Sequence, residues 1–206
     1  MNVLVWNALG MESDRVFRVL LKYKQDYSPS IIFLIETKPN HIQMEAIRVK
    51  LRFVGKLVVN CEGNSGGLCL LWTNTVNVSL LSFSRFHIDV RVSYWNERDW
   101  RFMGFYGNPD ADQQKHGWNL LQRLHGMAQL PWLCSGNFNE ILSVDEKLGG
   151  LPHSRLIMEI FRDTLEYSGF DDLGFQGLRF TWSNKQTGCD LILKRLDRGV
   201  CNSSWY

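Results

Sequence analysis

Five consecutive apolar residues, Ile31–Ile35, run unbroken and stop on Glu36. A run this short cannot cross a bilayer, which takes about 20 residues, so it reads as a buried strand. Similar runs at residues 3–6, 57–59 and 68–72 are separated by segments with helical spacing. Val16, Val19, Leu20 and Tyr23 fall on one helix face, and Met44, Ile47 and Leu51 repeat the pattern after Pro39, a helix-starting residue. Leu121, Leu124 and Ala128 do the same, as do Ile157, Ile160, Phe161 and Leu165. Short strands alternating with amphipathic helices specify an α/β or mixed architecture. Ile88, Val90, Val92 and Tyr94 alternate with Asp89, Arg91 and Ser93, the period of a strand with one wet face. A polar turn at residues 96–99 and a second strand over 100–106 complete an antiparallel hairpin, so the sheets are expected to be mixed.

The chain has 206 residues, 45% of them hydrophobic, enough for one sizeable core and a single domain over 1–206. Its net charge of +2 neither marks nor excludes a nucleic-acid binder, since a basic groove can sit on a nearly neutral molecule. Five scattered cysteines lack the spacing of a zinc site or a disulfide frame and read as reduced thiols. The chain opens directly on a strand, with no basic segment leading into an apolar stretch. The expectation is an intracellular protein, nuclear or cytoplasmic, neither secreted nor held in a membrane.

The informative feature is what ends the buried runs. Residues 3–6 end on Asn7, Ile31–Ile35 on Glu36, and residues 102–105 on Tyr106; residues 130–134 lead into Ser135-Gly136-Asn137-Phe138-Asn139. Loops at strand ends hold polar groups on a rigid base, and ligand sites gather there. Taken singly, an Asn or Glu after a strand is usually a turn residue. The glycine-rich stretch 62–67 lacks the Lys-Ser or Lys-Thr of a phosphate-cradling loop and precedes a strand, so it reads as a hairpin turn. Arg15, Arg18 and Lys22 form a solvated helix face, and His87 with Asp89 reads as a surface pair.

The order of motifs carries more than any one of them. Trp6-Asn7, Leu34-Ile35-Glu36-Thr37-Lys38, Gly104-Phe105-Tyr106-Gly107-Asn108-Pro109, Gly136-Asn137-Phe138-Asn139, Phe180-Thr181-Trp182-Ser183-Asn184 and Arg195-Leu196-Asp197-Arg198 occur in sequence. Together they resemble the endonuclease/exonuclease/phosphatase superfamily, and within it the endonuclease domain of plant LINE-type (non-LTR) retrotransposon proteins. The resemblance implies a DNase I-like α/β sandwich, two packed mixed β-sheets flanked by helices. It also implies hydrolysis of a DNA phosphodiester by water with a divalent metal, Mg²⁺ or Mn²⁺. Glu36 matches the metal-binding glutamate, with Asn7 beside it. Tyr106 matches a donor to the phosphate, Asn139 a residue orienting water or phosphate, and Asp197 an aspartate that orients a histidine. Trp182, Asn184 and Arg198 fall where such nucleases approach nucleic acid. The implied partners are DNA and, in a full-length element, a downstream reverse transcriptase.

The sequence departs from the pattern at the motif Gly-Asp-Phe-Asn, which here reads Asn137 for Asp. An amide cannot act as a base. The Ser-Asp-His segment on the family's final strand has no counterpart before Tyr206, so the expectation is a domain incomplete at its C-terminus, without its final strand. Ala8-Leu9 stands where plant relatives carry Cys-Arg. These departures predict weak metal binding and weakened or absent catalysis. The alternatives are a non-catalytic remnant or nucleic-acid-binding module, a small-phosphoester phosphatase of the same superfamily, and an unrelated interaction domain.

Overall fold

The computed structural model describes residues 1–11, 13–38, 41–61, 66–95, 97–127 and 130–206. Pro39, residues 62–65 of the expected hairpin turn, Asn96 and Ala128 lie outside the described residues. Contacts group the chain into two compact units, Met1–Phe105 and Tyr106–Tyr206.

The first unit runs β1 (Val3–Asn7), α1 (Asp14–Tyr27), β2 (Ile31–Ile35), α2 (His41–Lys50), β3 (Gly55–Val59), β4 (Leu68–Trp72), β5 (Val76–Ser84), β6 (His87–Tyr94) and β7 (Trp100–Tyr106), whose last residue begins the second unit. The first four strands form a mixed sheet in the order β1-β2-β4-β3, with β1 and β2 parallel. Every residue of β2 is buried, because the sheet is covered on both faces. Ile32 and Leu34 join Leu20, Met44, Ile47 and Leu51 in one cluster beneath the helices. On the other face Phe33 meets Phe102 of β7 edge-on, ring centroids 6.1 Å apart. Gly104 is required there, since any Cβ would run into the Phe33 ring. Each fully buried side chain of this size contributes roughly 1.5–3 kcal/mol. β2 therefore has a core on either side.

α1 starts where Ser13 caps it, its Oγ accepting the Val16 N–H at 3.2 Å, and ends at Ser28 in the left-handed region, φ 43°. Its half-buried positions Val16, Val19 and Tyr23 flank buried Leu20, the face expected. Arg15, Arg18 and Lys22 are exposed.

The β5–β6–β7 meander corrects one expectation. Ile88, Val90 and Val92 are buried, but so are His87 and Asp89, and β6 lacks a uniformly wet face. Arg101 on β7 explains it. Its guanidinium forks onto Asp89 at 2.8 and 2.7 Å, both side chains 1% exposed. Ser82 Oγ donates to Asp89 at 3.3 Å and meets His87 Nε2 at 3.0 Å. The supposed surface pair is thus a buried polar network, tolerable because its charges are paired and hydrogen-bonded.

The second unit runs α3 (Gln114–His125), β8 (Trp132–Asn137), β9 (Lys147–Leu148), α4 (Arg155–Tyr167), β10 (Phe170–Asp172), β11 (Trp182–Ser183), β12 (Leu193–Lys194) and β13 (Asp197–Asn202). β13 pairs antiparallel with both β8 and β10, and β12 lies between β11 and β9 in a small three-stranded sheet. On α4 the buried face is Met158, Phe161, Thr164 and Leu165, with Ile157 and Ile160 half-buried. Phe161 stacks on Trp118 of α3 at 5.7 Å, which rotates the stripe toward Met158. The two-residue strands were not legible in the sequence, being too short for any periodicity.

Candidate active site

In the first unit, parallel pairing sets Asn7 opposite Ile35, so the loops leaving β1 and β2 emerge side by side. The N–H groups of Ala8, Gly10 and Met11 donate to the carbonyls of Ile35, Glu36 and Thr37 at 2.9, 2.8 and 3.0 Å, lacing the two loops together. Glu36 takes a left-handed backbone, φ 54°, rare for a residue with a Cβ and found where surrounding structure holds it. Asn7 Nδ2 donates to Glu36 Oε1 at 3.1 Å, and Asn7 Oδ1 accepts the Leu9 N–H at 3.3 Å, fixing which way the amide faces. Thr37 N–H donates to the Gly67 carbonyl at 3.1 Å. The donor set is one half-buried carboxylate oriented by an amide. Mg²⁺ commonly takes one or two protein carboxylates and keeps several waters, so these residues fit a weakly held, largely hydrated ion. Among the described residues there is no group of three or more His, Cys, Asp or Glu arranged to hold a metal.

In the second unit, β8 ends on Asn137, directly across from Asp197 of β13. The strand then turns sharply. Asn137 Oδ1 accepts the Asn139 N–H at 2.8 Å, and Asn139 is left-handed, φ 55°. Asn139 Nδ2 donates to the Gly107 carbonyl at 2.6 Å, Gly107 N–H donates back to the Asn137 carbonyl at 2.7 Å, and Gln114 Nε2 holds the Asn139 carbonyl at 2.8 Å. Gly107, next to buried Tyr106, must be glycine because a Cβ would strike the Phe138 carbonyl. Strand register and these bonds bring Tyr106, Asn137, Asn139 and Asp197 into one neighbourhood of this unit. Thr181 Oγ1 accepts the N–H groups of Leu196 and Asp197, each at 3.0 Å, steadying the chain on the other side.

The residues flanking Asp197 anchor it. Arg195 reaches Glu146 at 2.7 Å and Asp172 at 2.8 Å; Arg198, its side chain fully buried, reaches Asp172 at 2.7 Å and Glu146 at 2.8 Å. Burial pushes the Glu146 carboxyl up. The hydrogen bond and charge of Arg198, with the Leu142 N–H and Arg195, outweigh it and hold the group below the usual carboxylate range. Asp172 is treated alike: burial raises it, but Arg195, the Gly174 N–H and Arg198 bring it below its ordinary value.

The expected nucleic-acid contacts divide. Trp182 is partly exposed, with the Lys194 ammonium 5.7 Å from its ring centre. Asn184 is instead occupied within its own loop, donating to the Asp190 carbonyl at 2.7 Å and accepting from Ile192 and Gln186. Arg198 belongs to the buried ion-pair network, so its guanidinium is committed inside the protein. Sequence reasoning missed the partners Glu146 and Asp172, Gln114, and a Glu140–His153 contact of 2.6 Å. An arginine in an otherwise apolar strand, Arg101 of β7, was the available signal that a buried acid must lie nearby.

No family model and no curated protein matches the sequence. Solved structures do match in fold. The endonuclease domain of TRAS1, a telomere-specific non-LTR retrotransposon, is 13% identical with a TM-score of 0.68, covering 98% of this chain and 84% of that one. An AP endonuclease from Leishmania major is 15% identical with a TM-score of 0.74, covering 98% and 79%. A 3′ phosphatase from Neisseria, bound to product DNA hairpin, is 16% identical with a TM-score of 0.70, covering 98% and 86%. The chain therefore has the DNase I-like fold of these nucleases and phosphatases, two packed β-sheets flanked by helices. At this identity the likeness is one of fold. Among the described residues, no helix is long and apolar enough to cross a membrane.

Proposed function

We propose that the chain is a divalent-metal-dependent phosphodiester hydrolase domain acting on DNA, derived from a retrotransposon protein and slowed by the amide at Asn137. The observation that carries the reading is Glu36, a carboxylate set by a left-handed turn beyond a fully buried strand and oriented by Asn7. Glu36 and Asn7 would hold Mg²⁺ or Mn²⁺, which when bound supplies Lewis-acid polarisation of a phosphoryl oxygen. Tyr106 serves as a donor toward the phosphate, and Asn139 orients water or phosphate. Asp197 stands across the strand pair from Asn137, and Trp182 stacks on an unpaired base. Asn137 keeps the shape of the motif's aspartate and accepts the Asn139 N–H as a carboxylate would, so the turn survives while proton removal does not. The DNA-acting neighbours of the same fold favour DNA over a small phosphoester. In a complete element such a domain stands ahead of a reverse transcriptase.

Plasmid nicking tests the reading. Slow, EDTA-sensitive nicking lost in Glu36→Gln is the expected result. Nicking that survives both EDTA and Glu36→Gln would overturn it.

A further inference from the structure

Two lysines stand where a sheet disfavours them. β9 and β12 pair antiparallel in a register that sets Lys147 directly across from Lys194, and like charges directly opposite destabilise a strand pair. Lys194 is half-buried as well; burial and Lys147 both pull its ammonium below its ordinary value, against the opposing pull of Glu140.

Beside this pair opens a cavity of about 300 Å³, whose wall includes Lys147, Gly150, His153 and Arg155, a size at the lower end for small-molecule sites. Lys147 is not a drifting surface cation. Its ammonium donates to the Gly149 carbonyl at 2.8 Å and to that of Leu151, and so is fixed in the wall. His153 is fixed too: its Nε2 lies 2.6 Å from Oε1 of Glu140, a carboxylate 2% exposed that also accepts the Ile141 N–H at 2.8 Å. That contact engages one ring nitrogen and leaves Nδ1 as the ring's other polar atom. Glu140 is thus turned inward, against a histidine and a backbone N–H, while the cavity wall carries basic groups.

We propose that this cavity is an anion site for a phosphate group, held by Lys147, His153 and Arg155, with Lys194 completing the positive field. A dianion beside the β9–β12 pair, next to Lys147, would ease the opposition between Lys147 and Lys194. The site shares no residue with Glu36 and Asn7 and needs neither a metal nor hydrolysis, so it stands or falls separately from the proposed activity.

The test is thermal unfolding and NMR of the full chain in EDTA, titrated with inorganic phosphate against chloride at matched ionic strength. Phosphate should raise Tm saturably and shift the His153 ring and the Gly149 and Gly150 amides. Lys194→Met should raise Tm without phosphate and weaken phosphate binding at least tenfold, opposite effects that a merely structural lysine would not produce. Arg155→Gln should weaken binding with Tm unchanged, and decides the matter if Lys194→Met does not fold. Competition then identifies the source. Displacement by a 5′-phosphorylated oligonucleotide alone assigns a terminal phosphate, and displacement by the unphosphorylated one as well assigns the nucleic-acid backbone. Displacement by neither assigns a free phosphate or small phosphoester. No saturable shift at His153 and Gly150, or phosphate affinity unchanged in both variants, would overturn the proposal.

Discussion

The loop after β2 and the loop after β8 use one backbone device for different chemistry. Each begins where a buried strand ends, and each carries a non-glycine residue in the left-handed region, Glu36 at φ 54° and Asn139 at φ 55°. The first turn presents a carboxylate whose orienting partner is an amide. In the second, the amides themselves build the turn, Asn137 bonding Asn139 and Asn139 bonding Gly107. The first loop presents an anionic side chain, whereas the second presents neutral amides, which can orient a group but cannot act as a base. Asp and Asn can each accept the Asn139 N–H, so the turn does not require a carboxylate at position 137.

The largest expected effect lies in the second unit. Arg198→Ala should cost about 3–5 kcal/mol of stability, since it strips a partner from two carboxylates in a buried network. Urea unfolding measures this, and a loss below about 1 kcal/mol would show that the network is not what anchors the strand bearing Asp197. Gly107→Ala should cost about 1–3 kcal/mol through overpacking against the Phe138 carbonyl. It should broaden the Asn139 side-chain amide in NMR spectra while leaving Ala8, Gly10 and Met11 amides protected. Equal loosening of both loops would mean that they are not independently built.

A smaller effect concerns pH. Glu146 and Asp172 have folded values below their ordinary 4.5 and 3.8. Their contribution is therefore fully present above those ordinary values and is lost as pH falls through the depressed folded ones. Stability followed by urea midpoint should hold from neutral pH down to about 5 and decline below it. In Arg198→Ala the decline should be shallower, because the main source of the Glu146 depression is gone and Asp172 keeps Arg195. An equally steep acid limb in that variant would assign it to other carboxylates.

Much of the frame was legible in the sequence because apolar runs and helical spacing report burial directly. β2 was set by five apolar residues in a row, and α1 by Val16, Leu20 and Tyr23. The candidate site was read from strand endings, since Asn7, Glu36, Asn137 and Asn139 each interrupt or follow such a run. What stayed hidden depends on partners distant along the chain. Asp89 looked like the wet side of β6 because nothing local announces Arg101 twelve residues later. Arg198 looked like a nucleic-acid contact because Asp172 of β10 and Glu146, just ahead of β9, are brought to it only by folding. His153 showed no role because its carboxylate, Glu140, lies beyond a turn built by other residues.

Whether Glu36 supplies the proposed chemistry and Asn137 withholds it can be decided by four proteins measured side by side: the unmodified chain, Asn137→Asp, Glu36→Gln and the double variant, assayed for Mg²⁺-dependent plasmid nicking. The expected order is slow nicking by the unmodified chain and a gain of up to ~10² in Asn137→Asp, the lower end of what general acid–base assistance provides. Neither protein carrying Glu36→Gln should nick above the EDTA background. An unmodified chain as fast as Asn137→Asp, or a double variant as fast as Asn137→Asp, would contradict it.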